Sequence, residues 1–331
     1  MTKSVKNICI IGAGHFGTAF GNMLTNSGEF DVTLLSIEEN VVKAINETHY
    51  NLTYFPHVKL SKKLTATSDI NILKDADIIF IAIPSYIVIE YVKTHKHLVK
   101  KDAVIVNLAK GFNKDSETTI IESLEELVSN QVCSLKGPTF AREVVNNVPT
   151  AMTLGARDER LYGYFKEIFK ETNLTIDYSS DVIGVELLSI LKNIYAIVIG
   201  IVDAHFNSPN LRFFILTKAF NEIRGILKEY GGKEETLFNY CGLGDFALTA
   251  LNDLSRNRTL GLFIGKGFMK NEISNDIVLE GKVAVNVFCQ ERYDFDMIEK
   301  KYPIMAELYK VFSEKDYVMS DFVWKIVEDK D

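Results

Sequence analysis

Gly12-Ala13-Gly14-His15-Phe16-Gly17 follows the apolar run 7–11 and opens a helical stretch, 16–24. Between a strand and a helix, this G-x-G-x-x-G spacing has a mechanical meaning. Gly12 permits the tight turn, Gly14 lets the backbone approach a pyrophosphate, and Gly17 lets helix and strand pack closely. The helix N-terminus then faces the anion with N–H groups that have no intrahelical partner. His15 lies inside the loop, where its backbone N–H matters more than its ring. Glycines in such a turn can also serve structure alone, so the motif by itself leaves both readings open.

Outward from the loop, short β-rich runs alternate with helical patterns. Strands are predicted at 7–11, 31–35, 77–83, 103–108, 132–136, 150–154 and 174–178, and helices at 16–24, 86–97 and 118–128. Alternation of this kind implies an α/β domain with a doubly wound, Rossmann-like, mostly parallel sheet, whose ligands bind beyond the carboxyl ends of the strands. From about residue 181 the pattern becomes helical throughout: 182–204, 210–230, 245–251, 256–266, 280–292, 304–312 and 316–327. The expected organisation is a dinucleotide-binding domain over 1–180 and an all-α substrate and catalytic domain over 181–331.

The 331 residues suffice for two domains, and 47% hydrophobic content can fill their cores. A net charge of -7 argues against general binding to nucleic acid or membrane surfaces, so cations that handle anions must be concentrated locally. Cys9, Cys133, Cys241 and Cys289 are far apart and form no C-x-x-C pair, which suits a reduced, cytoplasmic protein. Residues 1–6 lack the apolar stretch of a signal peptide. The apolar region 182–204 contains Glu186, Lys192 and Asn193, so it reads as a buried helix and not as a membrane span. His95-x-His97 has no third ligand nearby, and no metal is expected.

Several segments fall where strands end. Ile83-Pro84-Ser85, Lys110-Gly111 and Gly137-Pro138-Thr139-Phe140-Ala141 follow the third, fourth and fifth strands. Each alone reads more often as an ordinary turn; together they outline a polar crevice beside a nucleotide. Lys192 stands in the almost wholly apolar stretch Leu187-Leu188-Ser189-Ile190-Leu191-Lys192-Asn193-Ile194-Tyr195. It either snorkels to solvent or is an ammonium held in a low-polarity cleft, where desolvation eases proton exchange. Asn193 beside it is placed to orient a substrate oxygen. Gly242-Leu243-Gly244-Asp245 puts a carboxylate at a helix start, as an N-cap or as a functional acid. Ser255-Arg256-Asn257-Arg258 begins the next helix, as a capped end with a solvated arginine or as a phosphate clamp.

With these residues assembled, the chain resembles the NAD(P)-dependent glycerol-3-phosphate dehydrogenases nearly end to end. The order matches: the glycine loop continued by Thr18-Ala19, the block 51–56, Ile83-Pro84-Ser85, Lys110-Gly111, Gly137-Pro138-Thr139-Phe140-Ala141, Lys192-Asn193, Gly242-Leu243-Gly244-Asp245, Ser255-Arg256-Asn257 and Glu280-Gly281. The glycine loop is common to many dehydrogenases; the last five motifs are specific to this family. The resemblance implies Lys192 as catalytic acid/base, with Asp245 supporting its charge. It implies that Lys110, Gly137, Thr139, Lys192, Asn193, Asp245, Ser255, Arg256 and Asn257 hold a small phosphorylated three-carbon substrate, with Arg256 on the phosphate. Gly12, Gly14, His15, Phe16, Gly17, Ser36, Ser85, Lys110, Ala141, Arg256 and Glu280 would meet NAD or NADP. The reaction implied is interconversion of dihydroxyacetone phosphate and sn-glycerol 3-phosphate by a cytoplasmic homodimer serving glycerophospholipid metabolism.

Three positions depart from the family pattern. Phe16 replaces a common tryptophan. After the second strand, Leu35-Ser36-Ile37-Glu38-Glu39 lacks the arginine that suits a 2′-phosphate, and its two glutamates favour NAD. Lys218-Ala219 replaces Arg-Gly, an exchange that is not conservative where two hydrogen bonds are made at once. Two rival readings follow: a dehydrogenase of the same architecture acting on another phosphorylated ketone, a 3-hydroxy acid or a sugar acid, and a catalytically silent dinucleotide sensor.

Overall fold

A computed structural model describes residues 6–25, 29–113, 118–268, 280–292 and 295–328. The chain divides into two compact units, residues 1–186 and 187–331.

The first unit runs β1 (Asn7–Ile11), α1 (His15–Leu24), β2 (Asp31–Leu35), α2 (Glu39–Thr48), β3 (Thr65–Thr67), β4 (Ile78–Ile81), α3 (Ser85–His95), β5 (Val104–Asn107), α4 (Ile120–Leu127), β6 (Val132–Lys136), α5 (Ala141–Val145), β7 (Thr150–Gly155), α6 (Arg160–Phe169), β8 (Leu174–Ser179) and the start of α7 (Val182–His205). Among the described residues, eight strands form one sheet in the order β3-β2-β1-β4-β5-β6-β7-β8. Every neighbouring pair is parallel except β6 with β7, where Leu135 faces Leu154. The fold is the doubly wound, Rossmann-like, mostly parallel sheet expected.

Alternation along the strands explains the two-sided core. Ile8, Ile10, Leu34, Phe80, Val106 and Leu135 point to one face, where Phe20 of α1, Ile45 of α2 and Phe165 of α6 cover them. Cys9, Ile11, Ile79, Ile81 and Ile105 point to the other, under Val88 and Val92 of α3 and Ile121 and Leu124 of α4. Parallel strands buried on both faces read as unbroken apolar runs, as Ile78–Ile81 does. Helix α4 begins with a complete capping box, Thr119 with Glu122.

The second unit is helical: the rest of α7, then α8 (Pro209–Glu229), α9 (Asp245–Leu251), α10 (Arg256–Gly265), α11 (Glu280–Asn286), α12 (Phe295–Lys301), α13 (Pro303–Ser313) and α14 (Phe322–Val327). Helix α7 is long and apolar enough to cross a membrane, yet 94% of its most apolar window is buried within the protein. Glycines let α10 lie against it, because a Cβ on Gly261 would come within 2.0 Å of Ile197 O. One expected helix, 316–327, is shorter than the pattern predicts. A 3₁₀ turn, Met319–Asp321, precedes α14, and Val318 and Trp324 remain 54% and 58% exposed, so no continuous apolar face spans the stretch.

Glu222 of α8 is buried in this unit and accepts from the N–H groups of Ile304 and Met305 at the start of α13, at 2.8 and 3.2 Å, and from Tyr195 Oη of α7 at 2.9 Å. Burial pushes its carboxyl up to about 7, against these bonds to the charged form. The raised value means that the folded chain holds the proton more tightly than the unfolded one. Glu222 therefore favours the fold fully below the ordinary value of 4.5, and that benefit is lost as pH rises towards 7. Between pH 5 and 7 the wild-type Tm is expected to fall by roughly 5 °C relative to Glu222→Gln. A difference independent of pH would refute the assignment.

All four cysteines are free and buried, Cys9 and Cys133 in the first unit and Cys241 and Cys289 in the second. Burial pushes the Cys9 and Cys289 thiols up to about 12 and the Cys133 thiol higher still. Among the described residues, no cluster of three or more His, Cys, Asp or Glu side chains is placed to hold a metal.

Candidate active site

In the first unit the glycine loop joins β1 to α1. Gly12 has φ +107° and its N–H donates to Leu35 O at 2.8 Å; a Cβ there would lie 2.8 Å from Ala82 O. Gly17 sits directly over the loop, where a Cβ would fall 2.0 Å from Gly12 O. Gly14 differs, since a Cβ built on it meets nothing within 4 Å. It is the N-cap of α1 without a side-chain cap, so the first turn of a ten-residue helix opens onto free space. This cradle fits a pyrophosphate, which needs backbone N–H groups and room for close approach.

Asn51 braces the loop. It is fully buried, and its Nδ2 donates to Ala13 O and to Thr18 Oγ1, both at 2.9 Å. The His15 ring packs edge-on to Tyr54 and Phe55 at 5.0 and 5.4 Å, and Phe16 stacks on Phe20 at 5.8 Å. Ser36, buried just beyond β2, accepts from Glu38 N at 3.1 Å. Tyr54 Oη donates to the Glu38 carboxylate at 3.1 Å, and its phenol is raised above its ordinary value by burial and by that carboxylate.

The strand-end segments converge. Ser85 opens α3, and a Cβ on Gly111 would lie 2.2 Å from its Oγ. Lys110 Nζ reaches Gly137 O at 3.5 Å, and Thr139 Oγ1 donates to the same carbonyl at 3.2 Å. Ala141 opens the short helix α5. The carboxyl edges of β4, β5 and β6 thus present a hydroxyl, an ammonium and a glycine turn side by side.

In the second unit Lys192 does not snorkel. It is 4% exposed, and its Nζ bonds to the carboxylate of Asp245 and to Thr249 Oγ1 at 3.1 Å. Asp245, 1% exposed, is the first residue of α9, and its side chain serves the lysine and not a cap. Thr249 was not foreseen, although its place one turn after Asp245 puts both on one helix face. Asn193 Nδ2 donates to Ser189 O at 3.3 Å. Ser255 is the N-cap of α10 and accepts from Arg258 N at 3.3 Å. Arg258 is buried and paired with Asp203 and Asp253, whereas Arg256 is exposed on the first turn with no ion pair among the described residues. The buried Asn257 Oδ1 has no hydrogen-bond partner among the described residues. Lys218 is engaged elsewhere, donating to Val327 O at 3.3 Å, and Ala219 is fully buried. The side chain of Glu280 lies outside the described residues.

Two family models match this chain: the NAD-dependent glycerol-3-phosphate dehydrogenase N-terminus over residues 7–162, and the C-terminus over 181–321. The chain belongs to this family. The glycerol-3-phosphate dehydrogenase (NAD(P)+) of Leptospira biflexa is 34% identical over 317 residues, covering 93% of this chain and 94% of the relative. That of Methanothermobacter thermautotrophicus is 35% identical over 307 residues, covering 91% and 93%. The crystal structure of the Coxiella burnetii glycerol-3-phosphate dehydrogenase superposes with a TM-score of 0.86 at 28% identity, covering 98% of this chain and 99% of the other. Membership makes the chain an NAD(P)-dependent oxidoreductase. Within this family frame, the buried Lys192–Asp245–Thr249 cluster and the open Gly14 cradle are the features that chemistry can use.

Proposed function

We propose that this enzyme interconverts dihydroxyacetone phosphate and sn-glycerol 3-phosphate. The observation that carries the reading is a buried ammonium, Lys192, held by Asp245 and Thr249 in a helical unit that also presents the exposed Arg256. When bound, the nicotinamide dinucleotide supplies or accepts the hydride. Lys192 Nζ stabilises the negative charge that develops on the carbonyl oxygen and delivers the proton, and in the oxidative direction it takes the proton back. Asp245 offsets the cost of burying that ammonium, and Thr249 fixes its direction. Arg256 and the α10 N-terminus take the phosphate, whose binding energy holds the carbonyl in place. Lys110, Gly137, Thr139, Asn193, Ser255 and Asn257 complete the substrate set.

The cofactor contacts in this reading are Gly12, Gly14, His15, Phe16, Gly17, Ser36, Ser85, Lys110, Ala141, Arg256 and Glu280. NAD is the preferred cofactor, because Tyr54 fixes the Glu38 carboxylate beside the loop, where a 2′-phosphate would be repelled. Four buried free thiols suit a cytoplasmic setting. Exposed Phe213, Phe214, Phe238 and Trp324 suit a homodimer.

Nicotinamide absorbance, with dihydroxyacetone phosphate and NADH or NADPH in parallel, tests the reading. NADH is expected to be oxidised with a kcat/KM about tenfold above that of NADPH. Failure to turn over with either would refute the substrate, and a faster NADPH reaction would refute the role of Glu38.

A further inference from the structure

Lys136, the last residue of β6, is completely buried, a rare place for an ammonium. Its Nζ lies 2.9 Å from Glu186 Oε1, and Glu186 is itself 1% exposed. Asn107 Nδ2 donates to the two Glu186 oxygens at 2.9 and 3.2 Å, and Ser134 Oγ donates to the same carboxylate. The Lys136 ammonium also donates to Asn107 O at 3.2 Å and to Ala109 O. These two carbonyls lead into Lys110. In the opposite sense, Lys110 Nζ reaches the carbonyl of Gly137, the residue after Lys136. The two lysines cross-brace the ends of β5 and β6.

Stability alone does not call for this arrangement. A buried ion pair roughly breaks even with apolar side chains of the same volume. Its neighbours on β6, Cys133 and Leu135, are buried without charge. An ammonium offers what an apolar side chain cannot, namely three directed donors. Here they are spent on one carboxylate and two backbone carbonyls.

We infer that Lys136, oriented by Glu186, is a positioning residue that fixes the backbone of residues 107–109 and so sets where the Lys110 ammonium stands. It touches no substrate and acts through Lys110. The inference rests on the assignment of Lys110 to the substrate set.

Lys136→Met would leave Glu186 buried without its cation and endanger folding. The decisive variant is therefore Lys136→Met/Glu186→Gln, which removes both charges. The first readout needs no substrate: trace acetylation of the full-length protein, with the rate at each lysine read by mass spectrometry. Lys110 is expected to acetylate about fivefold faster in the variant, with exposed Lys170 unchanged. The second is steady-state kinetics, in which KM for dihydroxyacetone phosphate is expected to rise about tenfold with a smaller change in kcat. A variant with native circular dichroism, an unchanged Lys110 rate and an unchanged KM would overturn the positioning role. If Lys110 labelling shifts but the wild-type enzyme does not turn over dihydroxyacetone phosphate, the positioning role stands and the proposed substrate falls.

Discussion

Lys192→Ala is expected to lower kcat by about 10²–10⁴-fold while the dissociation constant for the nicotinamide cofactor moves by less than about twofold. The size follows from the chemistry. Reduction of a ketone leaves an oxygen that must be protonated, and Lys192 is the buried donor assigned to that proton. The selectivity follows from placement, because Lys192 belongs to the helical unit and the glycine cradle to the other. Stability must be followed alongside. Alanine leaves the carboxylate of Asp245 buried without its cation, a loss of roughly 3–5 kcal/mol. Lys192→Met/Asp245→Asn removes both charges and should recover most of that loss without recovering turnover. Rapid-quench or steady-state rates at saturating substrate give the answer, and retention of most of the activity by either variant would remove Lys192 from the mechanism.

Arg256→Ala should act on a different parameter. The side chain is exposed on the first turn of α10, so its removal should leave the Tm almost unchanged. A charge-assisted bond to phosphate contributes about 1.5–3 kcal/mol, so KM for the phosphorylated ketone is expected to rise roughly 10- to 100-fold. Reduction of dihydroxyacetone, which lacks the phosphate, should be indifferent to the change. Lysine at this position should restore charge without the two-pronged geometry and recover only part of the affinity. Equal KM values in the wild type and Arg256→Ala would refute the clamp.

Elements with a strong period were legible in the amino-acid pattern. The strands β1, β2 and β6 fall on the predicted residues, because each is a short β-rich run next to a turn signal. Strand β3 was not foreseen, since its three residues, Thr65–Thr67, include only one that is buried. Helix α2 escaped because it buries only Val41 and Ile45. Helix α6 need not have been missed, as Leu161, Phe165, Ile168 and Phe169 repeat at helical spacing. The reversal of β7 against β6 has no local signature, because direction is a property of the connection and not of the strand. At the site, Lys192 stood out by contrast with its apolar neighbours. The residues alone leave snorkelling and burial open; the family resemblance implies Asp245 beside it, and the structure adds Thr249, the two reaching it from 53 and 57 residues away. Asn51 illustrates the same limit. Its motif was visible, but its hold on the glycine loop depends on contacts 33 and 38 residues distant.

The four thiols give this enzyme an internal clock for its own breathing. Alkylating reagents attack the thiolate; burial denies them access to all four sulfurs and, at Cys9, Cys133 and Cys289, also suppresses thiolate formation. Labelling must therefore wait for an opening event, and its rate measures how often that event occurs. Cys9 and Cys133 lie in central strands of one unit, and Cys241 and Cys289 among the helices of the other. One labelling course that follows the two pairs separately can show whether a ligand that rests on one unit also quiets the other.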